Sequence, residues 1–213
     1  MFLLLCLPTV IMANGKDEKK QDAGLWAYLS VTPKPVVERW YITYSLEYRN
    51  KENFSQTSLW CGAINVYYKF NTWLKLGAGY EYFLNRQTDG TYTPEYRYYP
   101  AALFSYQKGL FAGSFRSYLM NTYEHWKEPH WEFRNRLKIS YQIKDTKLKS
   151  FVAVEPYYAI FSDEDIIFRK IRYFAGFSYS FGLHQLDAYY LREDYIYKPL
   201  INNVVALEYN MSF

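Results

Sequence analysis

Apolar and polar residues alternate one by one through most of this chain, and a period of two confines it to β-strands. The stretch WEFRNRLKISYQI, residues 131–143, shows the pattern at its fullest. Trp131, Phe133, Leu137, Ile139, Tyr141 and Ile143 fall on one face; Glu132, Arg134, Arg136, Lys138, Ser140 and Gln142 fall on the other. A soluble sheet would turn the charged row to water and the apolar row to a core. A membrane barrel reverses the faces, with hydrocarbon toward lipid and charge toward a wet lumen.

The alternation recurs in eleven segments separated by turn signals: 25–32, 40–49, 59–70, 73–84, 95–107, 110–120, 130–143, 148–161, 168–181, 184–192 and 202–213. No helical period and no internal linker interrupts them. Short turns are expected at 71–72, 108–109, 144–147 and 182–183, and longer polar loops at 50–57, 85–94, 121–129, 162–167 and 193–201. Short turns at one end and longer loops at the other are the habit of outer-membrane barrels. Single-chain bacterial barrels have an even strand number, so eleven segments predict a barrel of about twelve strands, with ten as the alternative. The fold class read from the sequence is thus all-β, a transmembrane antiparallel up-and-down β-barrel.

Composition narrows the partners. Hydrophobic residues make up 50% of the 213, yet mean hydropathy is negative, so the two kinds are finely interleaved. No apolar run of about 18 residues exists to cross a bilayer as a helix. The net charge of +4 comes from scattered basic residues, with no stripe suited to nucleic acid. The two cysteines, Cys6 and Cys61, supply no disulfide framework. Residues 2–12, FLLLCLPTVIM, followed by Ala13, read as a signal peptide over 1–13 without its positively charged start. Residues 14–23 read as a polar leader without structure of its own, and 24–213 as the barrel.

Two further features favour lipid outside. The last segment, VVALEYNMSF, places Val205, Leu207, Tyr209, Met211 and Phe213 on one face and ends on Phe213. Tyr209, Met211 and Phe213 are therefore expected to form the signal read by the barrel-assembly machinery. The 25 Tyr, 15 Phe and 6 Trp are frequent near the ends of the proposed outward rows, where such rings sit at a lipid–water interface. The opposite rows carry Glu47, Arg49, Glu81, Arg97, Arg116, Glu132, Arg134, Arg136, Lys138, Glu155, Arg172, Asp187 and Glu208, and these are expected to line the lumen. Each Arg or Lys would cost about 2–4 kcal/mol on the lipid face at mid-bilayer. Inside, both signs can pair with one another. A salt-bridge ladder that stiffens a narrow barrel accounts for them more simply than a conducting lining.

The tracts RNRLKISYQI, FVAVEPYYAIF and IRYFAGFSYSF, with the earlier pair WYITYSLEYR and WLKLGAGYEYF, resemble the Bacteroidetes-type barrels of domain-of-unknown-function family 2490. Arg134, Arg136, Glu155, Arg172 and Gly176 carry the resemblance, which extends over residues 25–213. It implies an outer-membrane location and no particular activity.

Motifs for chemistry are sparse. Glu124, His125 and His130 lie close in sequence, but their spacing matches no standard metal-ligand pattern, so a polar loop and no metal are expected. Asp163-Glu164-Asp165 reads as a solvated loop tip, with a cation bridge to lipopolysaccharide as its functional counterpart. Ser180 and His184, four apart across a turn, make a conceivable hydrolase dyad that nothing singles out. The expectation is an outer-membrane barrel of a Gram-negative bacterium, acting as a narrow passive channel or a structural surface protein, in contact with outer-membrane lipid and lipopolysaccharide. It is expected to have no cofactor and to be no enzyme. The alternatives are a barrel enzyme (a lipid hydrolase, an acyltransferase or an omptin-like protease) and a soluble lipocalin-like binder.

Overall fold

A computed structural model describes residues 20–35, 37–124, 127–160 and 166–213, with the side chains of 127 and 128 outside that description. The expected signal peptide, Cys6, His125 and the 163–165 tip lie outside the described residues. The elements are all strands: β1 Lys20–Thr32, β2 Trp40–Lys51, β3 Gln56–Lys69, β4 Leu74–Arg86, β5 Tyr92–Lys108, β6 Phe111–Glu124, β7 Lys127–Gln142, β8 Leu148–Ile160, β9 Ile166–Phe181, β10 His184–Tyr195 and β11 Leu200–Ser212. Each pairs antiparallel with its neighbour in sequence, and β1 pairs with β11 to close the barrel.

Among the described residues the strand number is eleven, close to the expected twelve. With an odd number the first and last strands run in the same direction, so they join as a parallel pair. Lys20 faces Leu200 and Thr32 faces Ser212 across an unbroken ladder. β1 therefore starts four residues before the end of the expected leader, and Lys20 to Ala23 are strand. The Asp22 carboxylate ties this end down by accepting the backbone N–H groups of Glu52 and Asn53, each at 3.1 Å.

The expected contrast in connection length is absent. One end carries the connections 52–55, 87–91, 125–126, 161–165 and 196–199; the other carries 33–39, 70–73, 109–110, 143–147 and 182–183. The strands run further toward the first end than the turn residues suggest, since Tyr92, Glu124, Lys127 and Tyr195 are all in the ladder. Tight turns at the second end follow from local chemistry. Gly109 and Gly182 adopt φ of 59° and 61°, and Asn71 Oδ1 accepts the N–H groups of Trp73 and Leu74 at 2.9 and 2.8 Å.

The pleat sorts the side chains. Leu46, Ile64, Leu137, Ile139, Val152, Phe177 and Val205 all point out and are exposed, Leu46 to 62%. Their neighbours in sequence point in. Rings meet between neighbouring strands, and in one case over the strand between, in two outward belts. One contains Trp40–Tyr68, Trp73–Phe104 and Phe111–Tyr141. The other contains Tyr48–Trp60, Tyr82–Tyr96, Tyr98–Trp131 and Tyr158–Phe168. Trp40 and Tyr48 are eight residues apart on β2, roughly 26 Å along the strand and about 20 Å along the axis of a tilted barrel. Asn135, the polar residue of the outward row of β7, stands opposite Ser117, and its Oδ1 is buried without a hydrogen bond.

Inside, aromatic rings and ions fill the barrel. Trp26, Phe151, Phe174, Tyr189, Leu191 and Val204 form one cluster; Tyr67, Tyr99, Tyr118 and Met120 form another. Such filling requires bare backbone opposite the rings. At Gly79 a Cβ would fall 2.5 Å from Asn65 Oδ1 and run into the Tyr99 ring, and at Gly176 it would overlap Tyr189.

Candidate functional site

Among the described residues, two interior cavities share no lining residue, and a smaller one of about 250 Å³ adjoins the first at Arg49 and Tyr195. The larger, about 400 Å³, occupies the half toward the 125–126 and 196–199 connections. The second, about 370 Å³, lies toward the Gly109 and Gly182 turns and is lined by small polar residues with Lys138, Ser140, Lys149 and Gln185. Between them sit Phe151, Phe174, Asp187 and the packed tyrosines, all buried.

The floor of the larger cavity is built around one carboxylate. Glu155 projects inward from β8 and is 0% exposed. Arg134 Nε donates to its Oε1 at 2.6 Å, and Arg116 Nη2 donates to the same oxygen at 3.0 Å. Arg136 Nη2 donates to Oε2 at 3.0 Å, and the Tyr157 hydroxyl donates to Oε2 at 3.2 Å. Arg172 approaches to 3.8 Å. Strand geometry explains the convergence. Arg116 and Arg136 are cross-strand partners, Arg134 is two residues before Arg136, and Glu155 is the register partner of Arg172. Like charges directly opposite each other repel. One buried carboxylate shared among them, with ring faces behind, offsets part of that repulsion. Arg116 lies over Tyr118 at 4.7 Å, Arg136 over Phe174 at 4.3 Å and Arg134 over Tyr157 at 5.1 Å.

A second carboxylate extends the network. Arg172 Nε donates to Glu193 Oε2 at 2.5 Å, Lys170 Nζ lies 3.1 Å from the same oxygen, and Arg172 also hydrogen-bonds the Tyr157 hydroxyl. Around the wall the charges pair locally: Arg49 with Glu47, Arg97 with Glu95 and Glu81, Arg169 with Glu132.

Of the thirteen residues read as lumen-facing, Glu47, Arg49, Glu81, Arg97, Arg116, Glu132, Arg134, Arg136, Arg172 and Glu208 line the larger cavity. Glu155 lies behind its floor. Lys138 belongs to the other cavity, with its ammonium 3.8 Å from the Phe151 ring centre. Asp187 is buried at the divide and accepts from Gln185 Nε2 at 2.9 Å. Tyr209, Met211 and Phe213 stand at the outward end of β11, where the Tyr209 hydroxyl bonds His184 Nδ1 at 2.8 Å.

Three contributors escaped the sequence reading. Glu193 fell in an expected loop, but β10 continues to Tyr195, so Glu193 prolongs the inward row Asp187, Tyr189, Leu191. Arg169 and Lys170 both enter the cavity, because a bulge opposite Tyr157/Tyr158 breaks the alternation. Glu193 was legible as the next step of that row; the bulge left no sequence signal.

The conceivable hydrolase dyad is separated. Ser180 pairs with Gln185 on the inward row. His184 lies on the outward row, stacked between Phe181 and Tyr209. Glu124 and His130 are strand residues of β6 and β7, and no group of three metal-ligating side chains occurs among the described residues.

Comparison with known proteins reaches only the level of family. Residues 23–197 match the family model described as protein of unknown function (DUF2490), and the chain belongs to that family. No curated protein and no solved structure matches.

Proposed function

We propose that this family member is an outer-membrane β-barrel with a structural or surface role, whose interior is divided into two blind vestibules instead of an open pore. The observation that carries the membrane reading is the inversion of the faces. Glu155, Glu193 and Arg172 are buried inside, while Leu46, Val152 and Phe177 are more than half exposed outside. An apolar surface encircling the whole barrel far exceeds the few hundred Å² that soluble monomers expose. The same inversion argues against a soluble lipocalin-like binder, which needs its apolar rows inside. The belts of rings, about 20 Å apart along the axis, suit an apolar band of about 25 Å. Arg192 and Asp194 pair at 3.1 Å on the outward row of β10 near its Tyr195 end.

The second reading is a narrow channel. It is favoured by one observation: only side chains, among them Lys138 and Arg136, separate the two cavities among the described residues. Planar-bilayer recording of the detergent-purified chain separates the readings. Heat-modifiable gel migration without conductance steps supports the divided barrel. Discrete steps that change on Arg136→Ala establish the channel. A protein fully soluble without detergent overturns both.

A further inference from the structure

We infer that the floor of the larger vestibule is a binding site for a small multivalent oxyanion, with inorganic phosphate as its simplest member. The inference rests on the vestibule being water-filled, as the proposed function has it. Arg116, Arg134, Arg136, Arg172 and Lys170 bring five positive charges together, and the two carboxylates that they share, Glu155 and Glu193, bring two negative ones. The remaining acids do not correct the balance. Glu47, Glu81 and Glu132 are engaged by Arg49, Arg97 and Arg169. Glu208 lines the same cavity and forms no ion pair among the described residues. Counting it and Glu95, which shares Arg97 with Glu81, and setting Glu124 against Lys198 of the same lining, the cavity still carries an excess of one positive charge.

The donors point the same way. Glu155 is enclosed and its two oxygens already accept five hydrogen bonds, so it has nothing further to offer. Each guanidinium has five N–H groups. Arg116 makes one hydrogen bond to Glu155, and Arg136 makes one and leaves its buried Nε without a partner. The two side chains keep 28% and 23% of their surface open toward the cavity. They are held opposite each other by the β6–β7 register. Two planar forks at fixed spacing over one open volume match a tetrahedral or dicarboxylate anion that offers an oxygen edge to each. A volume of about 400 Å³ admits an ion of that size with its bridging water. Such a ligand supplies the charge that the protein withholds, and relieves the Arg116–Arg136 repulsion that Glu155 only partly offsets.

The test is calorimetric titration of the full chain, stripped of lipid in phosphate-free detergent, with inorganic phosphate and, separately, with a short-chain phosphatidic acid. Chloride at matched ionic strength is the control. Saturable binding of inorganic phosphate, weakened about tenfold or more in Arg116→Gln and unchanged in Arg192→Gln, supports the site with a soluble ligand. Saturable binding of the phosphatidic acid alone, with the same dependence on Arg116, supports it with a lipid headgroup as the source. Arg116→Lys keeps the charge without the fork and is expected to bind weakly while migrating as folded barrel. A heat-modifiable barrel that binds neither probe, or binds equally in Arg116→Gln, overturns the site and leaves the proposed function standing. Loss of heat-modifiable migration in the unmutated chain overturns both.

Discussion

Arg134 Nε lies 2.6 Å from Glu155 Oε1, inside a barrel whose outer surface is hydrocarbon. Glu155 serves several cations at once, so the network is asymmetric: removing the anion harms it more than removing any one cation. Glu155→Gln is expected to destabilise the barrel by about 3–5 kcal/mol, because arginines then sit buried and uncompensated. Arg116→Gln is expected to cost much less, since it also removes repulsion with Arg136. Urea midpoints in lipid vesicles check the order, and equal losses for the two variants would contradict it.

The faces can be tested with one added charge. Leu137 points outward and is 46% exposed, between the two belts of rings. Leu137→Arg is expected to lower folding stability in lipid by about 2–4 kcal/mol. Arginine at Ser140, on the inward row and lining the second cavity, is expected to be tolerated far better. Folding yields into vesicles measure both, and indifference at 137 would place that side chain in water.

The 52–55 connection offers a stabilising change. Glu52, Asn53 and Phe54 adopt φ of 54°, 52° and 69°, in the left-handed region that side chains avoid. Phe54 is half exposed, so it loses little packing on truncation. Phe54→Gly is expected to stabilise the turn by about 1 kcal/mol, seen as slower hydrogen exchange at Phe54 N–H, which donates to Ala23 O at 3.3 Å. Faster exchange would mean that the ring itself holds the turn.

Gly176 tests the interior packing. A methyl group there would overlap Tyr189 and the Ala188 carbonyl, and Gly176→Ala is expected to destabilise by about 1–3 kcal/mol. An unchanged urea midpoint would mean that Tyr189 has space to move.

The fold was legible because the pleat converts a period of two directly into faces. Trp131 to Tyr141 and Glu132 to Gln142 needed no tertiary information beyond that. The closing pair was hidden. Lys20 to Asp22 are polar and, with Ala23, look like leader, and only the register against β11 makes them strand. At the site, Arg134, Arg136, Glu155 and Arg172 followed from alternation, but their convergence on one carboxylate depends on barrel stagger, which no single strand encodes. Arg169 and Lys170 were lost to a bulge, and Glu193 to a strand that outruns its apolar residues.

Odd and even residues of β7 are expected to face different solvents. Spin labels at Ile139→Cys and Ser140→Cys, with Cys6 and Cys61 replaced by serine, test it in reconstituted bilayers. The label at 139 is expected to relax with oxygen and the label at 140 with a water-soluble nickel chelate. Nickel access at 139, with the label at 140 shielded, would mean that the apolar row faces water and the charged row does not.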